Sequence, residues 1–447
     1  MKRNIVSLLL ALIALLTASG AMAQTLNSSY FMQGTYLRTD MNPALTPERA
    51  YVVIPALSGV SAELNTNFFS VDNFFYKKDG QVVSALHSSV SSEEFLGRLP
   101  KYEKASMGVN VALFGAGFYK HDMFWNFGAN VRVQGDMALS KDIFTVLKTL
   151  GNGNYNLSES ALGVNAYTEF YVGTTYQILD WLKAGARLKI LMGIANVSAD
   201  FDQISANVQP DQVAANVNGT VYLNAPVVSL GKLRPGDVFN LDMIGTGGFA
   251  MGSGGMAIDL GAEMEFLDKT LRVSAAVTDL GFIRWSRKTA AVADLNTQFH
   301  FNGVNFSTGE ADYGLDSKMV VSEAATRGYT TMLNCTLNVG AEYNILDDRI
   351  GFGLLSHTEF GQTKPYTELT LSANFRPLNW LSATLSHTFL SGTKIGVFGF
   401  ALNVHCTGFN FYLGTDYIDT RYVKYKSMSV PRATTSLNAY FGIGFNI

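Results

Sequence analysis

Apolar and polar residues alternate one by one along many short stretches of this chain. In the closing stretch Leu437, Ala439, Phe441, Ile443, Phe445 and Ile447 are separated by Asn438, Tyr440, Gly442, Gly444 and Asn446. Successive side chains leave an extended backbone on opposite sides, so this period puts all six apolar groups on one face of a β-strand. The same pattern places Met107, Val109, Val111 and Leu113 together. After a "KHD" turn it groups Met123, Trp125, Phe127, Ala129, Val131 and Val133 against Asn126, Asn130, Arg132 and Gln134. Continued along the chain, it predicts fourteen strands, at roughly 51–66, 106–119, 123–137, 161–178, 182–200, 256–266, 271–279, 329–344, 349–360, 366–376, 380–390, 395–405, 408–418 and 435–447.

Strands with one oily face need something apolar to meet. Of the residues, 47% are apolar and only 15% charged, against about 25% charged in ordinary globular domains. The chain opens with Lys2 and Arg3, an apolar run from Ile5 to Leu16 and the small-residue site "AMA" before Gln24. That order is the form of a secretory signal peptide, expected to occupy 1–23. Its apolar core is too short to span a bilayer, and no later run reaches the ~18 apolar residues of a spanning helix. An exported, weakly charged, aromatic chain without spanning helices fits an antiparallel transmembrane β-barrel in the outer membrane of a Gram-negative bacterium. A large secreted β-sandwich or β-helix is the competing architecture. The formal net charge is −3, and no basic cluster suggests nucleic acid. The histidines have no metal-ligand spacing, nothing points to a cofactor, and Cys335 and Cys406 do not make a disulfide framework.

The connections support a barrel. "YQILDWLKAG", "MEFLDKTLRV", "YNILDDRIGF" and "NFRPLNWLSA" each carry Leu followed by Asp or Asn and then renewed alternation, so they read as one repeated tight turn. The links between them are long: 69–105, 139–160, 202–255, 280–328 and 419–434. Short periplasmic turns and long extracellular loops are the outer-membrane pattern. Short helices are expected at 93–99 and 142–150. Only Pro55 falls inside a predicted strand. Trp125, Trp181, Trp285 and Trp380 fall near strand ends, where indoles anchor at a membrane interface.

With apolar residues facing lipid, the intervening ones face a lumen. Arg132, Glu169, Arg187, Lys189, Glu263, Glu265 and Arg272 take that phase, with Asp259, Glu342 and Glu368, and Glu265 should sit opposite Arg272 across a tight turn. Residues 49–447 form the barrel in this reading. Residues 24–48 precede it and mix polar groups with Tyr30, Phe31, Tyr36, Leu37 and Met41, which suits a plug for a lumen too wide to fill with wall side chains. Asn42, Pro43 and Ala44 would hinge the segment, since proline forces the preceding residue towards extended geometry.

"MNPALTP" resembles the Asn-Pro-Ala element of the long-chain fatty acid transporter (FadL) superfamily, which includes PorV-like proteins of the type IX secretion system. The match is Asn42, Pro43 and Ala44. "VTDLGFIRW" and the "LDWL" turns look like a family of uncharacterised Bacteroidota outer-membrane barrels known as a domain of unknown function, over nearly the whole mature chain. The resemblance implies a FadL-like fold and assigns no activity or binding residue. Expected partners are outer-membrane lipid, the barrel-assembly machinery, and either small hydrophobic molecules in transit or, in a non-transporting PorV-like barrel, secretion-system or surface-scaffold proteins. An enzyme is not expected. Ser356–His357 and Ser386–His387 are adjacent on strands, and adjacent side chains point apart, so neither pair makes a catalytic dyad.

Overall fold

The structure is a computed structural model. It describes residues 27–447 except 56, 69, 79, 101–102, 150–152, 157, 159, 209–212, 225–227, 231–243, 247–251, 302–320, 326, 362–364, 392–395, 419–421, 426–427 and 432–436. The expected signal peptide, 1–23, lies outside the described residues, as do 24–26 of the expected plug.

Fourteen strands form the wall: β1 (Tyr51–Val53 and Val60–Thr66), β2 (Glu103–Lys120), β3 (Met123–Leu139), β4 (Ala161–Leu179), β5 (Leu182–Val208), β6 (Gly254–Phe266), β7 (Leu271–Trp285), β8 (Tyr329–Met332 and Cys335–Ile345), β9 (Ile350–Phe360), β10 (Tyr366–Leu378), β11 (Leu381–Leu390), β12 (Gly396–Cys406), β13 (Phe409–Ile418) and β14 (Leu437–Asn446). Each pairs antiparallel with the next. β14 pairs with β13, Asn410 opposite Gly444, and also with β1, Tyr51 opposite Asn446 and Val60 opposite Phe441. This double pairing closes the wall, so none of its fourteen strands is left as an edge.

The wall inverts the pattern of a soluble protein. Phe352, Leu385 and Phe445 are exposed by 50% or more on the outside, while Thr388 and Asn403 are fully buried inside. Polar side chains inside find partners on the neighbouring strand, such as Thr370 and Thr388 with their hydroxyls 2.8 Å apart. The apolar exterior is compatible with hydrocarbon and not with water, which makes this a transmembrane β-barrel.

Four features depart from the sequence expectations. The first strand is broken at 54–59 around Pro55, where Ile54 donates to Ser58 Oγ at 2.6 Å and Ile443 of β14 donates to Leu57 O at 2.8 Å. Proline cannot donate to the ladder, so the chain turns there and resumes. The expected loops 202–255 and 280–328 hold further sheet: β5 runs on to Val208 and pairs with Val213–Asn224, which pairs in turn with Ala290–Phe301. The added strand alternates as well: Val213, Ala215, Val217, Val221 and Leu223 are interleaved with Asn216, Asn218, Thr220 and Tyr222. The four similar turns are of two kinds. Leu267, Asp268 and Lys269 have φ of 52°, 54° and 68°, and Leu346, Asp347 and Asp348 have 55°, 52° and 68°. The other two, at Asp180–Trp181 and Asn379–Trp380, are two-residue turns.

Trp285 is the fourth. It was expected at the interface, and it is fully buried, facing the lumen with Nε1 donating to Thr331 Oγ1 at 2.8 Å. The cause is a β-bulge. Leu260 pairs with Val277 but Ile258 with Leu280, so Thr278 and Asp279 together oppose one residue of β6. One extra residue reverses the phase of a two-residue period. Residues after Asp279 therefore swap faces: Ile283 and Trp285 turn inward, Leu280 and Phe282 outward.

At the end with long connections, helices Ser92–Arg98 and Lys141–Thr149 and the hairpin Phe75–Lys78/Gln81–Ser84 share a small core of Phe68, Tyr76, Phe95, Leu99 and Phe144. Ser91 caps the first helix, its Oγ accepting from Glu94 N at 3.1 Å. Lys78 Nζ lies 2.8 Å from Glu94 and holds that exposed carboxyl below its ordinary pKa by hydrogen bonding.

Candidate functional site: the lumen and the segment within it

Residues 27–48 run through the barrel rather than away from it. Tyr30, Thr39, Asn42 and Ala44 are fully buried. The segment bonds to strands all round the wall. Tyr30 Oη is 2.9 Å from Ser274 Oγ on β7, Thr175 on β4 donates to Pro43 O at 2.6 Å, and Arg187 on β5 donates to Asp40 at 2.7 Å. Asn338 on β8 donates to Met41 O at 2.8 Å, Arg376 on β10 to Phe31 O at 3.0 Å, and Asn410 on β13 to Gly34 O at 2.9 Å. Ordering a residue costs about 1–2 kcal/mol of backbone entropy, so a segment of this length stays only where such contacts are many.

The wall is shaped for it. A Cβ on Gly185 would run into the Pro43 carbonyl carbon, and one on Gly261 would run into Asn42 Oδ1. Asn42 is extended, with φ −156° and ψ 111°, as a residue before proline must be. Its Oδ1 accepts from Ala44 N at 2.9 Å, and its amide nitrogen reaches Ala262 O at 3.2 Å. Asn42, Pro43 and Ala44 thus form a turn clamped between β4, β5 and β6.

The seven lumen charges fall into two groups. Arg132, Glu169, Arg187 and Lys189 meet in one. Arg132 lies 3.2 Å from Glu169 and 2.9 Å from Asp279; Lys189 lies 2.8 Å from Asp259 and 2.6 Å from Asp279. All are buried. Glu263, Glu265 and Arg272 sit nearer the tight turns. Arg272 Nε is 3.5 Å from Glu265, its register partner, and Nη1 is 3.1 Å from Asp348; Glu263 takes Lys183 at 3.1 Å and Arg38 of the N-terminal segment at 3.8 Å. Buried pairs of this kind hold geometry more than they add stability, and breaking one strands a charge.

Strict alternation missed Asp279, the hub of the first group. It sits in the bulge with φ 59°, and its N–H donates to Asp259 Oδ1 at 2.8 Å. Asp tolerates this left-handed conformation better than most residues. The signal in the sequence is an Asp inside an otherwise alternating strand, "VTDLGF".

Among the described residues, cavities lie beside the first ion-pair group, lined by Asn130, Arg132, Glu169, Lys189 and Asp279, and at two further places. One, of about 700 Å³, opens at the end with long connections, between Ser198, Asp200, Tyr222, Tyr329, Leu333 and Phe360. The Tyr222 and Tyr329 ring centroids there are 5.1 Å apart. A smaller one is lined by Asn27, Glu63, Glu359, Tyr366, Glu368 and Asp416. The two serine–histidine pairs do not join. Ser386 is buried inside while the His387 ring packs on Phe389 and Phe398, with centroids 4.7 Å away; His357 Nδ1 meets Asn338 Oδ1 at 2.6 Å. Cys335 and Cys406 are free thiols.

A closed barrel, apolar outside, with a polar lumen crossed by its own N-terminal chain, places the protein among the transmembrane β-barrels. The chain belongs to the family of unknown function DUF5723, whose sequence profile matches residues 43–416. No curated protein matches it. Among solved structures, the toluene transporter TodX of Pseudomonas putida aligns over 96% of both chains with 9% identity and a TM-score of 0.39. The toluene transporter TbuX of Ralstonia pickettii aligns over 96% of both with 11% identity and a TM-score of 0.37. A TodX deletion mutant, described as a monoaromatic hydrocarbon channel, aligns over 96% of both with 9% identity and a TM-score of 0.41. Likeness at this level says nothing of what this chain carries.

Proposed function

We propose that the protein is an outer-membrane channel for small hydrophobic molecules, exported by its N-terminal signal and closed at rest by residues 24–48. The observation that carries this reading is the pocket at the end with long connections. Its volume of about 700 Å³ suits a small molecule, and Tyr222, Tyr329, Leu333 and Phe360 offer it apolar contact within a lining that also holds Ser198, Asp200, Arg327, Thr330 and Thr331. The contacts of residues 27–48 with β4 to β8, β10 and β13 account for closure. A non-transporting PorV-like scaffold is the second reading, favoured by the ion pairs that cross the lumen.

The test deletes residues 26–40 and compares single-channel currents in planar bilayers. The wild type is expected to conduct poorly and the deletion several-fold better, with the barrel still folded by its heat-dependent mobility on gels. In parallel, 1-octanol is titrated into detergent-solubilised protein while the fluorescence of tryptophan, Trp285 included, is followed. A saturable response weakened by Tyr329→Ala supports the channel. No response, together with unchanged low conductance after the deletion, favours the scaffold. High conductance of the intact wild type would refute closure by the segment.

A further inference from the structure

The cavity beside Asn27 gathers four carboxyl groups: Glu63 of β1, Glu359 of β9, Glu368 of β10 and Asp416 of β13. Among the described residues none of the four has a cation within 4.0 Å, although the ion pairs elsewhere in the lumen are closely matched. Their bonds are to neutral groups. Asn334 donates to Glu359 at 2.9 Å, and Ser28 N donates to Asp416 Oδ1 at 3.1 Å. Asn27 donates to Glu368 Oε2 at 2.5 Å and Asn65 to its Oε1 at 3.4 Å. Two polar groups in the cavity wall have no hydrogen-bond partner among the described residues: Asp416 Oδ2, on a residue 1% exposed, and the hydroxyl of Tyr366, 8% exposed. His357 and Tyr417 complete the titratable lining, while Lys104 of β2 and Arg132 and Asp136 of β3 act electrostatically on Glu359.

One hydroxyl joins two of these groups. Tyr417 Oη lies 2.5 Å from Glu368 Oε1 and 3.2 Å from Glu63 Oε1. A hydroxyl has one proton to donate and lone pairs with which to accept. It donates to the nearer Glu368, which also accepts from Asn27 and Asn65 and so is the ionised member. Glu63 can bond the same oxygen only as a donor, and for that its carboxyl must carry a proton. The cavity measures about 10 Å³, space for one water-sized occupant and not for an organic cation. Among the described residues no group of three or more carboxyl, imidazole or thiol side chains is arranged to hold a metal ion. Buried carboxylates that face one another without countercharge are relieved by taking up a proton. We propose that Glu63 and Glu368 hold one proton between them through Tyr417, and that this pair is a pH-sensitive latch for the start of the N-terminal segment, whose Asn27 and Ser28 bond Glu368 and Asp416. Loss of the proton sets two carboxylates against one hydroxyl; they separate, and Glu368 leaves Asn27. The seated form binds one proton more than the released form, in which the carboxylates are apart and hydrated. Seating is therefore strongest at low pH and is lost as pH rises through the titration of the pair. This rests on the reading of residues 24–48 as the closing segment.

The experiment uses full-length protein processed and assembled in its membrane, then solubilised with the barrel folded. Infrared spectra read the proton directly, because an un-ionised carboxyl has a C=O stretch that a carboxylate lacks. At neutral pH the wild type should show such a band that Glu63→Gln removes and that Asp268→Asn, on an exposed turn, retains. The same proteins are then compared in planar bilayers between about pH 5 and 9. The wild type should conduct several-fold better at the alkaline end. Glu63→Gln, whose amide donates to Tyr417 at any pH, should stay closed throughout. Tyr417→Phe, which removes the bridge, should open at a lower pH than the wild type. A spectrum unchanged by Glu63→Gln would overturn the proposal, and so would the same pH dependence of conductance in wild type and Glu63→Gln. Low wild-type conductance at every pH, with the 26–40 deletion conducting, would remove the latch while closure by the segment stands. High wild-type conductance at every pH would remove both.

Discussion

At the scale of single residues, what matters is which face of a strand a side chain occupies. Phe441 is 47% exposed on the barrel exterior, while Asn438 on the same strand is 4% exposed and hydrogen-bonded to Thr415 and Asp416 N. Phe441→Arg is expected to hinder assembly, since Arg at the bilayer midplane costs about 2–4 kcal/mol. Asn438→Arg, beside Asp416 in the lumen, should assemble in higher yield. Folded yield after expression decides it, and equal yields would contradict the face assignment. Asp279 gives a second residue-level prediction. It bonds both Arg132 and Lys189, so Asp279→Ala should lower the unfolding free energy by about 3–5 kcal/mol through stranded charge. Removing Lys189 as well should restore part of the loss, measured by urea unfolding in liposomes. Strict additivity of the two changes would show that the pair is not coupled.

At the scale of elements, tight turns cluster at one end of the wall and the long connections at the other. If the long connections face outward, Lys288→Cys, exposed in a turn between β7 and the added strand Ala290–Phe301, should react with an impermeant maleimide on intact cells. Asp180→Cys, in the β4–β5 turn, should react only after lysis. Labelling of Asp180→Cys alone would invert the orientation. The strand elements were legible in the sequence because each spans an apolar band that demands alternation. The continuation of β5 to Val208 was not legible, because an extra residue at Asp202, where Gln203 pairs with Asn218 and Phe201 with Gly219, interrupts the period of two.

At the scale of the whole molecule, closure is the decisive feature. β14 is held by β13 on one side and β1 on the other. A chain ending at residue 436 would leave two unpaired edges in lipid, where each unsatisfied backbone group costs several kcal/mol. Such a chain should fail to insert, as judged by its absence from the heat-modifiable membrane fraction. Normal insertion would mean that closure does not depend on the last strand.

The sequence by itself determined the fourteen strands of the wall and, short of the bulge at Asp279, the two faces of each, because a period of two leaves one reading wherever lipid meets one side. It also picked out Arg132, Glu169, Arg187, Lys189, Glu263, Glu265 and Arg272 as a phase, and the Glu265–Arg272 contact across a four-residue turn. Which of the seven meet was decided only by tertiary structure, since Arg132 on β3 reaches Asp279 on β7 across the lumen. A single inserted residue at Asp279 turned Trp285 inward, and no pattern of hydrophobicity counts such a residue in advance. The path of residues 27–48 was likewise settled by shape: inward glycines at 185 and 261 leave room for Pro43 and Asn42, a complementarity between distant parts of the chain that only the closed barrel brings together.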